Sequence, residues 1–196
     1  MIGKNTKKIE KLINDALILK QKGDLVKAED LLKKVIKVDP KNFIALNNIG
    51  SIHSARNKPE DAKKFFLRAI HVKKDYGNAI FNLALINEET GNRLEAINLY
   101  KQSIKSNPEN LSFHHRLSRI DETYFNNLDN NEIGRILKKE KISNFNKSAG
   151  FFILAHDQKR KKNFKKEFYY LTEAHKFFHH SDEMLNNQVS FYWVRL

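Results

Sequence analysis

The sequence predicts an all-α fold, a solenoid of stacked helix-turn-helix units, and three observations carry that reading. First, Ile9 to Asn110 divides into three segments of 34 residues, IEKLINDALILKQKGDLVKAEDLLKKVIKVDPKN, FIALNNIGSIHSARNKPEDAKKFFLRAIHVKKDY and GNAIFNLALINEETGNRLEAINLYKQSIKSNPEN, with no gap between copies. Self-similarity at such a period marks units that bury their apolar faces on one another. Second, small residues recur every 34 positions, Ala16, Gly50 and Ala84 in the first half of each segment and Ala28, Ala62 and Ala96 in the second, where they suit a close approach of two helices. Leu12, Leu46 and Ile80, with Leu32, Phe66 and Tyr100, fill the gaps between helices. Third, Gly23 and Gly91 mark the turn inside a unit, and Pro40 and Pro108 follow the second helix because proline cannot continue it.

On these residues the chain resembles the tetratricopeptide repeat (TPR) family, which implies a right-handed α-α superhelix with the first helix of each unit lining its inner curve. Taken in order, residues 1–8 are a polar, lysine-rich lead-in expected to fray. TPR units follow at 9–42, 43–76 and 77–110. Asp15 stands where the family has a large apolar residue, Asn57 where the turn glycine would be and Lys74 where the proline would be. Residues 111–142 form a partial fourth unit: LSFHHRLSRI keeps the spacing of a first helix, Thr123 to Asp129 reads as a loop, and Asp129 with Glu132 is a capping box for the short helix NNEIGRILKKE. Residues 143–180 read as a degenerate TPR-like hairpin, capped by Ser143 or Asn144 and turned at KRKKN. Phe151, Leu154, Ala155, Phe164, Leu171 and Ala174 fall on family positions there, with Glu167 in place of the tight alanine. Residues 181–196 are expected to form a terminal amphipathic helix, its apolar face running through Leu185, Val189, Tyr192 and Leu196.

Composition bounds the chemistry. There is no cysteine, so disulfides and thiolate chemistry are excluded. No apolar run approaches the length of a membrane span, and the start carries charges where a signal peptide needs its apolar segment. The chain is expected to be cytoplasmic, without a membrane partner. Its 36 Lys+Arg against 23 Asp+Glu leave a net charge of +13. That charge concentrates at 138–167, with the basic patch Lys159, Arg160, Lys161, Lys162, Lys165 and Lys166. Such a run faces water more often than it binds RNA or another anion, so nucleic acid is not the expected partner.

The leading candidate site is a series of asparagines. Asn14, Asn48 and Asn82 occupy the same position of successive first helices, with Arg116 next at that spacing and Asn47, Asn78, Phe81 and Ser112 flanking them. An amide offers a donor and an acceptor together, so a ladder of amides suits the backbone of an extended peptide. Arg116 would suit a carboxylate. The expected partner is therefore a protein or peptide in the concave groove. The carboxylate clamp of chaperone-binding TPR proteins is not complete, because Asn47, Ser51 and Ser112 stand where that family has Lys, Asn and Lys. His175 and His179 share a helix face without a third ligand, so neither a metal nor any other cofactor is expected.

From Phe113 onward the chain is similar to the linker between TPR arrays and catalytic domains of bacterial sulfotransferases. LSRI, GFFILAHDQ, NFKKEFYYL and EAHKFF occupy its places in order. The resemblance implies a region that precedes a domain using 3′-phosphoadenosine 5′-phosphosulfate. That domain's Pro-x-x-Ser-Gly-Thr-Thr donor loop is not found between Met1 and Leu196, so no catalytic residue is assigned and the expectation is a chain without chemistry of its own. A homodimer or a docked C-terminal catalytic domain are the further partners this implies.

Overall fold

The computed structural model describes residues 2–180, so the helix expected over 181–196 lies outside the described residues. The order is α1 (Ile2–Gln21), α2 (Leu25–Val38), α3 (Phe43–Ala55), α4 (Pro59–Val72), α5 (Gly77–Glu89), α6 (Arg93–Ser106), α7 (Leu111–Ile120), a 3-10 helix (Glu122–Asn127), α8 (Asn130–Leu137), α9 (Asn144–Arg160) and α10 (Phe164–His179). Helix α1 begins at Ile2, so the stretch expected to fray is already helical there.

Local chemistry sets the boundaries. Asp24 accepts a hydrogen bond from the Lys27 amide at 3.1 Å and Asn42 from the Ala45 amide at 3.0 Å, satisfying amides that open α2 and α3. Pro59 starts α4, where its missing N–H costs nothing. The turns need left-handed backbone: Gly23 and Gly91 have φ of 81° and 83°, and Asn57 at the equivalent place has φ 57°. Asparagine is the non-glycine residue that tolerates this conformation best, which explains the departure in the second unit.

Each unit packs its two helices at the small residues. Ala28, Ala62 and Ala96 are fully buried, as are Ala84 and, nearly so, Ala16. At Gly50 a Cβ would stand 2.6 Å from Phe66 Cε1, so the glycine is required by the aromatic ring packed on it. Leu32, Phe66 and Tyr100 are the large buried side chains of the three second helices.

The fourth unit departs from the pattern. Where a loop is expected from Thr123, the chain winds into a 3-10 helix, because Asp121 Oδ1 accepts from the Thr123 amide at 3.0 Å and its hydroxyl at 2.6 Å. Asp129 then caps α8 by accepting from the Asn131 amide at 2.8 Å. Ile133 and Ile136 of α8 join Leu111, Ala149, Ile153 and Leu154 in one core, so this short helix covers the face that a second helix would cover. Helix α9 packs directly on α7, with Gly150 against Leu111 and Leu137.

The last hairpin corrects one part of the register. Leu154, Ala155 and Ala174 are buried, but Phe164 is 68% exposed. Phe164 sits in the first turn of α10, and the hairpin is pinned at its other end, where Ser148 Oγ donates to the Ala174 carbonyl at 2.9 Å.

Candidate functional site

A cleft of about 410 Å³ runs along the first helices. Leu17, Lys20 and Gln21 line it from α1, Asn47 from α3, Asn78, Phe81 and Asn82 from α5, and Ser112 and Phe113 from α7, with Asn110, Ser143, Phe145 and Asn146 completing the far end. These elements converge because every first helix turns the same face inward once its opposite face is committed to its second helix. Phe81 stacks on Phe113 with ring centroids 4.6 Å apart, which fixes the spacing of α5 and α7.

Asn47, Asn78, Phe81, Asn82 and Ser112 thus share one cleft, whereas Asn14, Asn48 and Arg116 are not among its lining residues. The continuous ladder of Asn14, Asn48 and Asn82 is replaced by a different pairing. Asn82 Nδ2 donates to Asn47 Oδ1 at 2.9 Å. Asn48 turns its amide inward, with Nδ2 donating to the Ile44 carbonyl at 2.9 Å and Oδ1 accepting from Lys20. Asn14 is exposed on α1. Arg116 is only 4% exposed and faces Glu88 at 3.7 Å, and Glu88 also accepts from the Tyr100 hydroxyl at 2.5 Å. Burial, with Glu88 beside it, pushes the Tyr100 hydroxyl far above its ordinary pKa, so it acts as a neutral donor. Arg116 therefore belongs to an internal network.

Lys20 escaped the sequence reading. Its Nζ donates to Ser51 Oγ at 2.8 Å and lies 3.4 Å from Asn48 Oδ1. Withdrawal from water lowers its pKa from 10.5 to about 8. The available signal was register: Lys20, Ser54 and Glu88 are equivalent positions, and Glu88 to Arg116 spans the same 28 residues as Lys20 to Asn48.

The basic patch is partly spent on structure. Arg160 lies over the Phe125 ring at 4.8 Å and donates to the Glu122 carbonyl at 2.9 Å, and Lys161 pairs with Asp157 at 2.7 Å. Lys162 holds the left-handed turn at φ 55°. Lys159 reaches a second cleft of about 430 Å³ between α7, α9 and α10, beside His115, Arg119 and Glu167. Lys165 and Lys166 are exposed at the start of α10. His175 and His179 stack 6.3 Å apart, and among the described residues no three potential ligands gather around a point. No helix among them is long and apolar enough to cross a membrane.

Alternating helix pairs, tight small-residue contacts and a cleft along the first helices define an all-helical TPR helix-pair array. Residues 14–42 and 77–110 match one tetratricopeptide repeat model and residues 44–75 another, so this is a TPR repeat protein. The chain is 32% identical over 97 residues to the protein O-mannosyl-transferase Tmtc3 of Drosophila melanogaster, a match covering 50% of this chain and 10% of that protein. It spans about a tenth of the length of the curated relatives it matches. Among solved structures, the first TPR of Spaghetti (RPAP3) bound to the HSP90 peptide SRMEEVD superposes with a TM-score of 0.55 at 20% identity, covering 60% of this chain and 93% of that one. MamA superposes with a TM-score of 0.55 at 16% identity over 84% of this chain and 94% of its own. At these identities the likeness is one of fold.

The sulfotransferase resemblance is not supported, since these relatives are named as mannosyl- and not sulfotransferases. The strings that carried it are packing strings. Leu117, Phe152, Ile153, Leu154 and Ala174 are buried where any helical hairpin on α7 needs apolar residues.

Proposed function

We propose that this chain is a peptide- or protein-binding module and that its site is the cleft lined by α1, α3, α5 and α7. The observation that carries the reading is the composition of that cleft: the amides of Asn78, Asn82, Asn110 and Asn146 line it together with the apolar faces of Phe81 and Phe145. Amides match a peptide backbone whatever its side chains, and aromatic faces take apolar side chains. The peptide held by the TPR of Spaghetti supports the same use of the fold. No chemistry of its own is assigned to the chain.

An array of random decapeptides probed with the full chain tests this. Asn78→Ala combined with Asn82→Ala is expected to remove most of the bound signal, and Lys165→Gln combined with Lys166→Gln to leave it in place. Signal should survive about 0.5 M salt, where exposed charges are screened. Binding that ignores the asparagine pair but collapses with salt would instead place the activity on the basic patch. The length of the curated relatives favours a second reading, in which the module serves a larger enzyme as its non-catalytic recognition part. In that case peptides derived from acceptor proteins of such an enzyme, spotted beside the random ones, should bind above them.

A further inference from the structure

Lys20 gives the cleft a chemical preference. It stands in the last turn of α1, where the carbonyl end of the helix favours a cation. Among the described residues that line the cleft it alone is charged. Its two hydrogen-bond partners, Ser51 and Asn48, are neutral, and no carboxylate among the described residues lies within ion-pair distance. An ammonium carries three donors, so one remains for a further acceptor.

The repeat supplies its own comparison. At the junction of the third and fourth units, Glu88 and Arg116 occupy the positions that Lys20 and Asn48 occupy at the junction of the first and second. The cation there meets a carboxylate from within the chain. Other cations at the packed surface do the same: Lys101 pairs with Asp121 at 2.8 Å and Lys161 with Asp157 at 2.7 Å. A cation withdrawn from water without an opposite charge is unfavourable. At Lys20 the missing charge faces the open cleft.

We infer that Lys20 anchors a carboxylate of the bound peptide, so that the cleft selects an extended peptide carrying one acidic group, seated at the α1–α3 end. Resting on the groove reading, this sets where along the cleft the peptide's acidic group sits. Its remaining residues run over α5 and α7, where the lining is uncharged and a second carboxylate finds no cation. The acidic group is either a side chain or a C-terminal carboxylate, both of which present the same two oxygens.

The test uses the full chain and three decapeptide pools built from neutral residues and labelled at the N-terminus with an uncharged dye. One pool has a fixed central Glu and an amidated C-terminus, one has a free C-terminus and no acidic residue, and one has neither. By fluorescence anisotropy, an acidic pool should bind about tenfold tighter than the uncharged pool, the scale of one charge-assisted hydrogen bond. Whichever acidic pool leads identifies the source. Lys20→Met should bring it down to the uncharged pool, Lys20→Arg should keep the preference, and Asn82→Ala should weaken all three alike. Equal binding of the three pools, or a preference that survives Lys20→Met, overturns the anchor. The groove reading stands in those cases if Asn82→Ala still weakens every pool, and falls with the anchor if it does not or if no pool binds. In wild-type protein with 13C-labelled lysine, the leading pool should also raise the Lys20 pKa. An unchanged value overturns the anchor whether or not the variants fold.

Discussion

The three periodic units and the C-terminal hairpin use the same helix pair but close it differently. In units one to three, alanine or glycine on both helices allows close contact, and a large side chain of the second helix, Leu32, Phe66 or Tyr100, is buried above it. In the hairpin of α9 and α10, Ala174 is the buried residue of the second helix, and Phe164, Phe168 and Tyr169 are exposed. The first arrangement is a finished interface on two sides. Among the described residues the second is finished on one, where α9 turns its buried face to α7 and α8.

The sharpest way to break this contrast is to truncate an aromatic in each part. Phe66→Ala is expected to cost about 4 kcal/mol in urea unfolding, the range of buried aromatic truncations, whereas Phe168→Ala, 73% exposed, should stay within about 0.5 kcal/mol. Comparable losses would mean that α10 carries a packed face like that of α4. Next comes Gly50→Ala, whose Cβ would meet the Phe66 ring, at about 2 kcal/mol. Combining it with Phe66→Leu should recover part of that loss if the ring is what fixes the glycine.

The first unit and the α7–α9 junction also respond to opposite ends of the pH scale. Burial first, then Arg116 and Arg119, holds His115 of α7 well below the ordinary histidine pKa. Below the unfolded value of about 6.5, the unfolded chain takes up a proton that the folded chain refuses, so stability falls as pH falls. Lys20, shifted from 10.5 to about 8, makes the unfolded chain the better proton binder between those values, so stability rises as pH rises through that window. Hydrogen exchange should show α7 and α9 losing protection first on acidification, and Lys20→Met should abolish the alkaline gain in Tm. An alkaline gain that persists in that variant would remove Lys20 as its source.

The smallest expected effect concerns the turns. Lys162→Gly should stabilise the hairpin by about 1 kcal/mol, since a lysine at φ 55° bears a steric cost that glycine lacks. Asn57→Gly, at the corresponding turn of the second unit, should gain less, because asparagine already tolerates that backbone. Thermal unfolding of the two variants side by side decides it.

What the sequence by itself determined is the part that depends on neighbours in the chain or on a fixed period. The 34-residue register located the helix pairs, the small residues marked the close contacts, and Asp129 was legible as the cap of α8 and Ser143 or Asn144 as that of α9, where the structure uses Ser143, because these features follow from backbone geometry and local hydrogen bonding. Five of the eight candidate groove residues share the cleft: period pairs Asn47 with Phe81 and Asn78 with Ser112, whereas of the series Asn14, Asn48, Asn82 and Arg116 Asn82 alone lines it. Only the tertiary structure decided which polar groups are already satisfied. Arg116 meets Glu88, Asn48 accepts from Lys20, and Asn82 pairs with Asn47, each a choice made between helices about 30 residues apart in sequence. Equivalent positions carry different side chains, so periodicity places the residues, and the chemistry of each junction assigns their partners.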